Sequence, residues 1–117
     1  MGILVGGRQA VVDMDGSSNI GWALGHIDGH SMHDSRNPTT SLGKRFTVGA
    51  VVLVDIRVTG RSVHVLVDGN TVVNWTGLPE QLSVWDKIAP RLTSRNQLFF
   101  FSQSEFVIRK MELATAD

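Results

Sequence analysis

Gln9, Asp13, Trp22 and His26 fall within one short stretch of the chain, which reads as two strands joined by a turn. Residues 8–15 and 20–27 have the apolar content of strands, and Gly16-Ser17-Ser18-Asn19 between them suits a four-residue hairpin loop. With Asp15 opposite Ile20, Asp13 faces Trp22, Val11 faces Leu24 and Gln9 faces His26. Directly opposed residues of an antiparallel pair share a face, with Cβ atoms about 5 Å apart. One face then carries Gln9, Asp13, Trp22 and His26 with Val11 and Leu24. The other carries Ala10, Val12 and Met14 against Gly21, Ala23 and Gly25. An indole ringed by a carboxylate, an amide and an imidazole is the chemistry a sugar needs: the ring stacks on the apolar face of a pyranose, and the planar polar groups take its hydroxyls. The competing arrangement puts Trp22 and Leu24 in the core and leaves the polar residues on a rim. A one-residue slip in pairing separates the two.

Two further clusters have ligand chemistry. His26, His30 and His33 lie close together with Asp28 and Asp34 among them, and imidazole with carboxylate is a zinc donor set. Their spacing aligns on one face only in a helix, whereas Asp28-Gly29 argues for a turn, so a solvated polar loop is expected and no metal. Asp13 and Asp15 are two apart and so share a strand face. They suit glycoside hydrolysis or a calcium ion, or else they are ordinary aspartates at a hairpin end. Trp75 reads as a hairpin core anchor, and Trp85 either caps the fold or sits exposed at its edge. The chain has no cysteine, which excludes thiolate chemistry and disulfides, and neither a Gly-x-Ser-x-Gly elbow nor a phosphate-cradling loop occurs. Residues 28–45, rich in Gly, His, Ser, Asn and Thr, lack a clear period. Unstructured stretches of that length are often functional, so this one is a candidate binding edge contributing Asp28 and Asn37.

The elements that must hold these groups are strands. Val, Ile and Thr supply 29 of the 117 residues, and Asp outnumbers Glu eight to three, a balance that favours pleated surfaces and turns over helices. Period-2 alternation is clearest in residues 52–59, with Val52, Val54, Ile56 and Val58 on one side and Asp55 and Arg57 on the other. Val63, Val65 and Val67 repeat it, and Asp68-Gly69 then turns the chain into residues 71–76. The expectation is a three-stranded meander over 52–59, 62–67 and 71–76. Residues 98–101 and 106–113 are expected to be closing strands, and 82–87 one helical turn between Pro79 and Pro90. No repeat or linker divides the chain, so residues 1–117 are expected to form a single all-β domain. Eleven basic residues balance eleven acidic ones, which removes the bulk electrostatic case for nucleic acid or an anionic membrane. No apolar run approaches the roughly 20 residues of a spanning helix, and the opening run is too short for a secretory signal.

Val63-His64-Val65-Leu66-Val67-Asp68-Gly69, the following strand ending in Trp75-Thr76-Gly77, and then Leu82-Ser83 together resemble the concanavalin A-like lectin/glucanase superfamily, particularly its laminin-G-like and 3-keto-disaccharide hydrolase-type domains. Gly6-Gly7-Arg8-Gln9, Ile27-Asp28-Gly29, Asn37-Pro38-Thr39-Thr40 and residues 106–113 are similar to the same group. The resemblance implies an antiparallel two-sheet jelly-roll sandwich with a glycan site on its concave sheet or rim, and an extracytoplasmic setting. It also implies a chain corresponding to the C-terminal part of such a domain, with opening strands missing. The family's catalytic glutamate pair has no match, since Glu80, Glu105 and Glu112 all come late. The leading expectation is therefore a non-catalytic carbohydrate-binding module, needing no cofactor, that binds a glycan weakly through Gln9, Asp13, Trp22 and His26, with Asp28 and Asn37. The alternatives are a glycoside-cleaving hydrolase domain and a structural or interaction sandwich without a ligand. Burial of the Gln9–His26 face favours the last. An exposed sheet edge would invite self-association or pairing with another chain.

Overall fold

Asp68 and Gly69 both take positive φ, 47° and 82°, as the two central residues of a type I′ turn must. They join Val67 to Asn70 in the middle of the expected meander. The computed structural model describes residues 1–16, 19–92, 94 and 96–115, and among these the chain is all-β, with seven strands in two antiparallel sheets. β1 (Gly2–Val5), β2 (Arg8–Asp13), β3 (Ile20–Gly25) and β4 (Ser41–Leu42) lie side by side in that order. β5 (Val54–Val58), β6 (Ser62–Val67) and β7 (Asn70–Thr76) form the second sheet. The two sheets contribute to one apolar cluster, an arrangement consistent with a β-sandwich.

The second sheet follows the alternation of its sequence. Val63, Val65, Val73 and Trp75 are buried towards the first sheet, while Asp55, Arg57 and His64 point the other way into water. There Arg57 pairs with Asp55 at 2.9 Å and His64 Nε2 meets Thr71 Oγ1 at 2.8 Å. This sheet is dry on one face only.

The first sheet departs from expectation at its register. Val12 pairs with Leu24 and Asp13 with Ala23, one residue away from the pairing the short loop implied. The reason is apolar matching. The observed register gathers Ile3, Val5, Ala10, Val12, Trp22 and Leu24 on the face towards the second sheet, whereas the expected one would have set Trp22 and Leu24 beside Asp13. The extra length enters the connection, now residues 14–19, where Asp15 takes a φ of 47° and the Gly16 amide donates to the Gly21 carbonyl at 2.9 Å. Ser17 and Ser18, at the centre of the expected loop, lie outside the described residues. β1 itself arises from Gly6-Gly7, whose φ values of 56° and 79° make a two-residue turn between Val5 and Arg8.

The opposite face of this sheet is also buried, because Ser94, Gln97 and Phe99 lie across it. Gln9 Nε2 donates to the carbonyls of Ser94 and Gln97 at 3.2 and 2.9 Å, and the Gly2 amide donates to the Phe99 carbonyl at 2.7 Å. A Cβ at Gly2 would collide with the Phe99 ring. The expected closing strand over 98–101 is therefore reduced to one bridge, Gly2 with Phe99, and residues 106–113 form no strand. Nor does 82–87 form a helical turn. Short 3-10 turns flank it instead, at Pro79–Gln81 and Ala89–Arg91, each with proline in its first two positions, where a fixed φ and a missing N–H cost least.

Candidate interaction surface

Trp22 is fully buried, so its ring offers no face to a sugar. The indole lies 5.5 Å from the Phe46 ring, and its Nε1 donates to Asp15 at 3.0 Å. The six residues expected to converge are divided among different surroundings. Gln9 and Asp13 occupy the face opposite to Trp22, Gln9 beneath Ser94 and Gln97 and Asp13 against Gly25. His26 lies beyond the end of β3, where its backbone exchanges hydrogen bonds with Ser83 at 2.9 and 3.2 Å and its Nδ1 is buried without a partner. Asp28 and Gly29 form a turn of positive φ closed by Ile27 and His30, and the Asp28 carboxylate accepts from Gln81 Nε2 at 3.1 Å.

Asn37 is 5% exposed and acts as a clasp. Its Nδ2 donates to the carbonyls of Leu24 and His30 at 2.7 and 3.1 Å, and its Oδ1 accepts from the amide and hydroxyl of Thr39. Thr39 Oγ1 in turn accepts from the Leu24 amide at 2.9 Å. Both backbone groups of Leu24 are satisfied by side chains of the 28–45 stretch, which thereby covers the edge of β3 instead of presenting a binding rim. Further along, the exposed Asp34 carboxylate meets Arg36 at 2.8 Å and His30 at 3.2 Å, and the Arg36 hydrogen bonds hold it well below the usual carboxylate range. Among the described residues no group of three or more His, Asp or Glu side chains is placed to hold a metal ion.

The two aspartates considered for hydrolysis have separate duties. Asp15 accepts from the Trp22 indole and from the amides of Arg45 and Phe46 at 2.7 and 2.8 Å, tying the start of the second half of the chain to the β2–β3 connection. Asp13 is pushed up to about 6 by burial, against the pull of the Met1 ammonium and of His33. Its carboxylate occupies the space a Cβ on Gly25 would fill, which explains glycine there. Neither carboxylate lines either of the two clefts at residues 85–103.

The clefts lie elsewhere. One of about 240 Å³ is bounded by Gln9, Ile88, Arg91 and Phe99–Phe101, and an adjoining one of about 230 Å³ by Trp85, Lys87, Arg91 and Phe101. Both are below the usual volume of a small-molecule site. The segment that lines them, and the one that follows it, expose apolar side chains. Trp85, Leu98, Phe100, Phe101, Phe106 and Ile108 are all more than a third exposed, as are Val107, Met111 and Leu113. The Phe106 ring meets Phe46 at 5.2 Å, edge to face, which roots the following ribbon on the residue that packs against Trp22. A second exposed apolar row, Val48, Val51 and Leu53, leads into β5. The sequence signal for this surface was Leu98-Phe99-Phe100-Phe101, a run without alternation that cannot hide all its side chains on one face of a strand.

Comparison with protein-family models, with curated proteins and with solved structures finds no match to this chain. Nothing in those comparisons identifies the concanavalin A-like superfamily.

Proposed function

We propose that this chain is a non-catalytic β-sandwich interaction module that binds an apolar polypeptide segment. The observation that carries the reading is the concentration of exposed large apolar residues from Trp85 to Leu113, nine of the fifteen on the described surface. Exposed apolar residues concentrated in one stretch of chain point to an association site, whereas singly scattered ones do not. The burial of Gln9 and Trp22 supports the same reading, since the polar face that a ligand would need is occupied by the chain itself. Selection of a phage-displayed peptide library on the folded chain tests it. Extended apolar peptides should be enriched, and a Phe101→Asp/Ile108→Asp variant should lose them. No enrichment, or enrichment unchanged in that variant, overturns the proposal.

One observation favours a second reading. Trp85 is 39% exposed beside a cleft that also has Arg91 and Gln103 in its wall. If a concanavalin A-like jelly roll underlies the chain, a neutral glycan would stack on this ring rather than on Trp22. Glycan-array hits that vanish in Trp85→Ala support that reading, and hits that persist refute it.

A further inference from the structure

The second sheet ends at β5, which among the described residues pairs only with β6. Its core-side residues Val54 and Ile56 are only half-buried, whereas Val63 and Val65 on the next strand are fully buried, so the core is thinly covered at this edge. Residues 106–113 have the opposite deficiency. They are rich in β-prone side chains, every one is exposed, and none lies in a strand. Fully extended, residues 107–113 cover about 23 Å at roughly 3.3 Å each, enough to line all five residues of β5.

We propose that two copies of this chain form a two-fold dimer in which residues 107–113 of each are added as a strand to the open edge of β5 in the other. This rests on the interaction-module reading and names its partner. The ribbon of a chain forms no strand with its own β5, and Phe106 is seated instead on Phe46, whose ring packs against Trp22. A second copy has the same free edge and the same free ribbon, so one reciprocal exchange satisfies both and closes the assembly. The charges permit it: β5 carries Asp55 with Arg57, and the ribbon carries Arg109 and Lys110 with Glu112, so neither strand is a block of one sign. Two such additions place about 12 residues of each copy in the interface, roughly half the number in one of standard size, which suits a weak dimer.

The chain lacks cysteine, which makes the test direct. Sedimentation equilibrium of the whole chain should give a dimer with a dissociation constant on the order of 10 µM. Ile108→Pro, which removes an exposed residue's N–H without touching the core, should give a monomer whose urea midpoint matches that of the wild type diluted well below the dissociation constant. A mixture of Asp55→Cys and Arg109→Cys chains should form a disulfide-linked dimer at least tenfold faster than either variant alone. A wild-type monomer at every concentration overturns the proposal, as does a dimer indifferent to Ile108→Pro. So does an Asp55→Cys/Arg109→Cys double variant that closes within one chain, since the ribbon would then belong to its own edge. A monomer that still captures apolar peptides leaves the interaction reading standing and removes only the dimer. A monomer that captures none removes both.

Discussion

Asp13→Asn takes an ionisable group out of the buried face of the first sheet while keeping its shape. In the folded chain this carboxyl titrates near pH 6, held up chiefly by burial, whereas an unfolded chain's aspartate titrates near 3.9. Because the folded value is the higher one, the group's contribution to stability is complete below about pH 4 and is lost as the pH rises through 6. Two pH units correspond to about 3 kcal/mol. The Met1 amine is coupled to Asp13 and moves the opposite way: burial pushes it down to about 6, so its contribution is complete above about pH 8 and is lost as the pH falls through 6. Allowing for that coupling, the variant should exceed the wild type by about 2 kcal/mol near neutral pH and match it near pH 4. Urea unfolding followed by tryptophan fluorescence at several pH values measures the difference directly. A difference that stays flat from pH 4 to 8 would refute the reasoning, since it would mean that Asp13 titrates alike in both states.

Trp22→Ala should cost about 4–5 kcal/mol, the truncation of a fully buried aromatic together with loss of its ring contact to Phe46, and a urea midpoint close to wild type would contradict its place in the core. Asn37→Asp keeps an acceptor for Thr39 but turns a buried carboxylate towards the carbonyls of Leu24 and His30, for an expected loss of about 2–4 kcal/mol. Hydrogen exchange at the Leu24 amide should accelerate in that variant, and unchanged protection there would show that the clasp is not what holds the edge.

The parts of the fold legible in the sequence were those that local rules decide. Asp68-Gly69 between two alternating runs gave the meander, because the turn demands positive φ and the strands have one wet face. Gly6-Gly7 obeys the same rule and was readable too, but its strands carry apolar residues on both faces and so lack alternation. That is also why the β2–β3 register differs from the one a four-residue loop implies. Gln9 looks like a solvent-face residue only until Ser94 and Gln97 cover it, and nothing near it in sequence announces a partner 85 residues away. The role of Asn37 was hidden for a similar reason. An asparagine in a polar loop looks like a rim residue, and only the position of β3 turns it into a substitute strand partner.

The cover over the first sheet also dictates an order of events. The β5–β6–β7 meander closes through short loops and can form as soon as its residues are available, whereas the Gln9 amide finds its acceptors only when Ser94 and Gln97 arrive from the far end. During synthesis β1 and β2 therefore leave the ribosome well before the residues that seal them. Until residue 99 emerges, Gly2 has no bridge and the face bearing Gln9 and Val11 lies open to water. A chain interrupted before that point carries a finished hairpin sheet beside a sticky, half-wet one, so the interval between residues 13 and 99 is the time during which the nascent protein most needs shielding from its neighbours.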